Sequence, residues 1–378
     1  LTTAPTQKVF FPHLDGLRYV AFFAVFIQHA VGIALEPHFP KSYVLNKITN
    51  FLIWSGGSGV SLFFVLSGFL ITYLLLSEQE QHGKIDVGAF YMRRTLRIWP
   101  LYFALVLFGL FVFARIEGFY HDLNSEKWKY LWFATNFACL NPGGNIHPIS
   151  ITWSVAVEEQ FYLLWPLLFV ITPRKWWWMI CPAVMTGSLT FRIAHANEAT
   201  TTLYFHSFAL VYDLALGGLC AYLSRSSSAF RNFFANMKTA GRLSIYVAGF
   251  LLLIFASRIL PETGYYVYLR ICNTAFFAFV ICDQCFNLQQ GGKFGNIAFL
   301  THWGKYTYGM YLLHPIIQDY TQRFTKIYLF DSLEEITLLW LNAAIALAVT
   351  HIVCYLSYHY FESPFLKLKK KFSYITRE

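Results

Sequence analysis

The sequence predicts an all-α protein, a polytopic integral membrane bundle of about ten transmembrane helices with both termini cytoplasmic. Three observations carry this. Hydrophobic residues make up 56% of the 378 and charged residues 13%, far more apolar than a soluble domain. Apolar runs of roughly 20 residues, the length that crosses a hydrocarbon core, recur along the chain. The short segments between them alternate between basic-rich and basic-poor, as cytoplasmic and outer loops do. With no water in the core to satisfy backbone groups, the spans must be helices.

The spans fall at 14–35, 57–77, 98–115, 151–172, 176–195, 203–224, 241–260, 266–286, 305–322 and 337–360. The first is too long for a cleavable signal and lacks a small-residue cleavage site, so it reads as a retained span. The chain does not start with Met, so its first residue need not be the native N-terminus. The second contains "GGSGVSLFFVLSGFLITYLL" (56–75), where Gly57, Gly59 and Gly68 read as packing residues that let helices approach. Between the third and fourth spans lies the longest outer segment, 116–150. It holds "SEKWKYLWFATNFACL", an expected interfacial helix, and the turn-rich "NPGGNIHP". Loops of this length are often functional, and this one is expected to fold over an outer-side acceptor. The basic, Phe-bearing segment 225–242 suits a helix on the cytoplasmic membrane surface. A single transmembrane domain is expected over 10–365, with a basic cytoplasmic tail over 366–378 and no soluble second domain.

With the N-terminus inside, 18 of the 29 Lys and Arg residues fall on cytoplasmic segments. The net charge of +9 therefore reads as topology determinants beside anionic lipid, not as a nucleic-acid surface. The seven cysteines lie mostly within spans, where Cys behaves as a small hydrophobe. "CDQC" (282–285) has redox spacing without a thioredoxin-like context, and no metal is expected. A helical bundle argues against the bacterial outer membrane, which barrels populate. The bacterial cytoplasmic membrane is expected instead.

Ionisable side chains at membrane depth cost about 2.5–3.5 kcal/mol on insertion scales and mark functional sites. The first span carries Asp15, Arg18 and His29 on one helical face, Arg18 near the cytoplasmic end and His29 toward the outer half. The fourth carries Glu158 and Glu159 at a depth similar to that of His29, so one of them is expected to orient the imidazole. Arg94 and Arg97, at i and i+3 on the cytoplasmic entry to the third span, are placed to clamp a phosphate. Ser67 and His314 are further site candidates, His314 next to Pro315 in the ninth span. Glu362 is expected at the cytoplasmic boundary, exposed.

The series "LDGLR" followed by His29, "GVSLFFVLSGFLIT", "RRTLRIWPLYF", "TWSVAVEEQFYLLWPLL", "YGMYLLHP" and "FESP" resembles the membrane acyltransferase-3 family, in order and over nearly the whole chain. That family includes O-acetyltransferases of O-antigen, peptidoglycan and other surface glycans, and acyltransferases acting on antibiotics. The resemblance implies an acyl donor, usually acetyl-coenzyme A, bound from the cytoplasm, and an acceptor arriving from the outer side. It also implies functional roles for Arg18 with His29, and for Arg94 with Arg97. The fused esterase-like domain of some members is not found in these residues, which turns the expectation away from two-domain peptidoglycan enzymes.

The expected activity is O-acyl transfer from acyl-coenzyme A to a hydroxyl of a glycan, glycolipid or other envelope acceptor, with His29 as general base and membrane lipids as surroundings. The eleven residues from Arg18 to His29 span about 16 Å of helix, comparable to an extended pantetheine arm. The competing class is a transporter of an acyl donor or glycolipid without chemistry, since intramembrane Arg, His and Glu also mark transport pathways.

Overall fold

The computed structural model describes residues 11, 13–32, 42–118, 120–140, 147–198, 200–260, 264–289, 291–329 and 334–372. All regular structure among them is helical. Long helices occupy every position expected from the apolar runs: α1 (His13–Ile27), α2 (Tyr43–His82), α3 (Val87–Phe108), α4 (Trp153–Ile171) and α5 (Trp177–Ala194). The second half of the chain adds α6 (Ser207–Ser226), α7 (Thr239–Ile259), α8 (Tyr265–Phe286), α9 (Thr307–Leu329) and α10 (Glu335–Leu356). Among the described residues, eight helical stretches are long and apolar enough to cross a membrane by themselves. Helices α5 and α9 are the two outside that set, and the second half of α9 is polar, with Gln318, Asp319, Gln322, Arg323 and Lys326. The end of the first expected span (33–35) and most of "NPGGNIHP" (141–146) lie outside the described residues.

Helix α2 is the central post, 40 residues and about 60 Å long. It ends at Gly83, which takes the left-handed conformation (φ 72°) and returns its N–H to the Gln79 carbonyl. Three residues later Asp86 starts α3 by accepting from the Ala89 N–H at 2.9 Å. Helices α2 and α6 touch backbone to backbone. A Cβ at Gly68 would lie 1.9 Å from the Leu214 carbonyl oxygen, and one at Gly217 would lie 2.1 Å from that of Val65. The packing role expected of Gly68 is thus what the structure shows.

Buried ion pairs fix the outer helices. Arg270 on α8 donates to Asp213 on α6 at 2.9 Å, and Thr274 donates to the same carboxylate at 2.7 Å. Arg242 on α7 clasps Asp283 on α8 with two bonds of 2.8 and 2.9 Å. Removing one partner of such a pair costs about 3–5 kcal/mol, because the other charge is left buried alone.

Over 125–140, where one helix was expected, the described residues form two, Tyr120–Leu131 and Thr135–Ala138. The break is at Phe133, whose φ of 51° ends the first helix while its ring packs 4.3 Å from that of Tyr102. Trp128 and Trp132 stay exposed, as interfacial anchors do. The amphipathic stretch after α6 forms a short helix, Ser228–Ala235, capped by the Ser227 hydroxyl at 3.2 Å.

Candidate active site

A cavity opens between α1, α2, α3, α4 and α9. Its wall includes Arg18, Ser67, Arg94, Arg97, Glu158 and Tyr162, and Ser154 and Tyr311 also face it. Three guanidinium groups and one carboxylate among the lining side chains leave it with excess positive charge. The arginines differ in their commitments. Arg18 is paired with Asp15, one turn earlier on α1. The Arg94 guanidinium lies over the rings of Phe90 (5.5 Å) and Tyr162 (5.6 Å), and its buried Nε has no hydrogen-bond partner among the described residues. Arg97 lies near the carboxylate of Glu362. Arg93, one residue before Arg94, turns away and binds Glu78 at 2.8 Å and the Phe372 carbonyl at 2.9 Å. Spacing of i and i+3 puts Arg94 and Arg97 on one face, and the residue beside them, rotated by about 100°, serves the fold instead.

Helix α4 sends three consecutive polar residues in three directions. Glu158 faces the cavity beside Arg94 and the Ser67–Tyr162 pair, whose hydroxyls are 2.5 Å apart. Glu159 accepts from Trp99 Nε1 at 2.8 Å. Gln160 donates to the Phe133 carbonyl at 2.7 Å and to Asn136 at 3.0 Å. Four residues before Glu158, Ser154 donates to the Tyr311 hydroxyl at 2.7 Å, which closes the cavity toward α9.

Beyond Tyr311 lie two histidines. Helix α1 loosens into a π-helical turn, Gln28–Gly32, that presents His29. Such single turns recur at functional sites. His29 Nδ1 lies 2.9 Å from Nε2 of His314 on α9. The two rings are within 13° of coplanar with centroids 5.2 Å apart, a separation that exceeds the N···N distance by two ring radii. The contact is therefore an in-plane hydrogen bond and not a face-to-face stack. His314 is wholly buried, ringed by Phe22 (5.8 Å), Phe26 (6.0 Å) and Tyr311 (6.1 Å), whereas His29 is exposed. His314 Nδ1 reaches back 3.0 Å to the Met310 carbonyl and also faces that of Tyr311. Pro315 carries no N–H, so the Tyr311 carbonyl one turn back has no helical donor.

A family model described as an acyltransferase domain matches residues 11–359. The chain belongs to the acyltransferase-3 family. Among curated relatives, it is 26% identical over 97% of its length to a peptidoglycan O-acetyltransferase of Listeria monocytogenes. It is 25% identical over 95% of its length to an O-acetyltransferase of Staphylococcus aureus, and equally to a second, putative O-acetyltransferase of that organism. The chain spans 57% of the length of the first two relatives and 58% of the third. No solved structure matches. The expectation that set two-domain peptidoglycan enzymes aside finds no support in these relatives.

Within this acyltransferase-3 chain, the structure brings Arg18, Arg94, Arg97, Ser67 and Glu158 to one cavity and joins His29 to His314. It does not bring Glu158 or Glu159 to His29. The carboxylate of Glu158 lies beside Ser67, Tyr162 and Arg94, that of Glu159 accepts from Trp99, and the imidazole partner is a second imidazole. Counting residues from opposite membrane faces gives a height in the bilayer but no direction around the helix axis, and direction decides the pairing. Glu362, expected to be exposed, is buried and accepts from Ser357 at 3.2 Å. The residues missed at the site are Tyr162, Tyr311 and Ser154. Tyr162 and Ser154 had a signal, since each stands four residues from Glu158 on the same helical face.

Proposed function

We propose that this chain is an integral membrane O-acyltransferase of the bacterial cytoplasmic membrane. It would move an acyl group, acetyl in the first instance, from cytoplasmic acyl-coenzyme A to a hydroxyl of a glycan or other cell-envelope acceptor. The observation that carries the reading is the cavity. One wall bears Arg94, with a buried Nε that no described residue satisfies, beside Arg97 and Arg18, and the cavity reaches Tyr311, whose ring packs against His314, the partner of His29. A buried donor without a partner fits an anionic ligand.

Acyl-coenzyme A, when bound, supplies a thioester carbonyl and a thiolate leaving group. The chain's own residues do the rest. Arg94 and Arg97 hold phosphate oxygens near the cytoplasmic mouth, with Arg18 held in place by Asp15. Glu158, Ser67 and Tyr162 line the path of the acyl-bearing arm. His29, about 16 Å of helix from Arg18, takes the proton of the acceptor hydroxyl. The names of the relatives favour a glycan acceptor such as peptidoglycan.

The test is release of free thiol from acetyl-coenzyme A by the purified protein in nanodiscs, with a cell-envelope extract as acceptor. His29→Ala is expected to lower the extract-dependent rate by about 10²–10⁴-fold, the usual contribution of a positioned base. Thiol release at the wild-type rate in that variant would sink the general-base role. Donor binding by the wild type without thiol release in the presence of extract would favour transport instead.

A further inference from the structure

We infer that His314 is a positioning residue that locks His29 in its Nδ1–H tautomer and leaves the Nε2 lone pair without a hydrogen-bond partner among the described residues. The inference rests on the reading of His29 as general base. The number of protons that two neutral imidazoles carry fixes the tautomer. The Met310 carbonyl can only accept, so His314 Nδ1, 3.0 Å away, carries a hydrogen. A neutral His314 then has only a lone pair at Nε2. His29 Nδ1, 2.9 Å from that nitrogen, must donate to it. His29, itself neutral, has spent its one N–H there and keeps Nε2 bare, and no described residue hydrogen-bonds that atom. The reverse assignment needs an imidazolium at His314, a wholly buried position ringed by Phe22, Phe26 and Tyr311 with no carboxylate bonded to it among the described residues.

A neutral imidazole thereby fixes a tautomer, as the carboxylate of a Ser-His-Asp triad does, without adding a charge. During transfer the acceptor oxygen forms a bond to the thioester carbon while its proton passes to His29 Nε2. The carbon–sulfur bond then breaks and Nε2–H returns the proton to the leaving thiolate. His29 Nδ1–H stays on His314 throughout.

The test is the ring-nitrogen spectrum of protein carrying 15N-labelled histidine in nanodiscs, with His29→Ala assigning the signal. Wild type is expected to show His29 protonated at Nδ1 and bare at Nε2. In His314→Leu the ring should revert toward the Nε2–H tautomer, with kcat for thiol release about 10- to 100-fold lower and KM for acetyl-coenzyme A little changed. His314→Gln, whose amide oxygen can accept from Nδ1, should restore both tautomer and most of kcat. A wild-type His29 protonated at Nε2, or a folded His314→Leu with wild-type kcat, overturns the proposal. If His314→Leu does not fold, the wild-type spectrum decides alone. Loss of the general-base reading would show separately, as unchanged thiol release in His29→Ala.

Discussion

Arg93 and Arg94 are adjacent in the chain and have opposite fates. The first ties α3 to Glu78 and the Phe372 carbonyl, and the second stands in the cavity with an unused donor. Arg94→Ala is therefore expected to raise KM for acetyl-coenzyme A by about 10- to 100-fold, the equivalent of one or two charge-assisted hydrogen bonds. Arg93→Ala should leave that KM alone and lower the thermal midpoint. Steady-state thiol release and a melting curve on both variants separate the two. The carboxylates divide the same way. Glu159→Gln keeps an acceptor for Trp99 and should work near the wild-type rate, whereas Glu158→Gln alters the charge of the cavity wall and should not. The selection of Arg94 and Arg97 was legible in the sequence because i and i+3 spacing fixes a shared face. The partner of His29 was not, because it sits on a helix 285 residues away and nothing local encodes that contact.

At the scale of the helix, two departures from regularity build the site. The π turn at Gln28–Gly32 shifts the direction of His29 from where a 3.6-residue repeat would put it, and Pro315 frees a carbonyl beside His314. Pro315 is visible in the sequence. The π turn has no compositional mark, so regular-helix geometry misjudged the lateral neighbours of His29. Glycine is easier to read. Gly68→Ala would force a methyl into the Leu214 carbonyl and should destabilise by about 1–3 kcal/mol, as overpacked cores do. Gly187→Ala on α5 meets nothing within 4 Å and should leave stability unchanged or raise it by up to about 1 kcal/mol. Tryptophan-fluorescence melts in detergent would show whether the two glycines part in this way.

For the whole molecule, ten apolar runs became long helices because a bilayer leaves the backbone no other way to satisfy itself, so the fold class was open to inspection from composition. Orientation follows from basic residues and is open to direct test. In a cysteine-free background, Lys84→Cys between α2 and α3 should react with an impermeant thiol reagent only from the cytoplasmic side, and Asn124→Cys only from the outside. Reversed labelling would turn the proposed donor and acceptor sides around. In the proposed cytoplasmic membrane, which stores its power as a gradient, a chamber lined by arginines on one side and an exposed histidine beyond Tyr311 on the other would make most of a proton leak. The Ser154–Tyr311 bond, at 2.7 Å, with Phe63 packed 5.7 Å from the tyrosine ring, stands between the two halves as a gasket. Chemistry at such a site has to be carried out without short-circuiting the host.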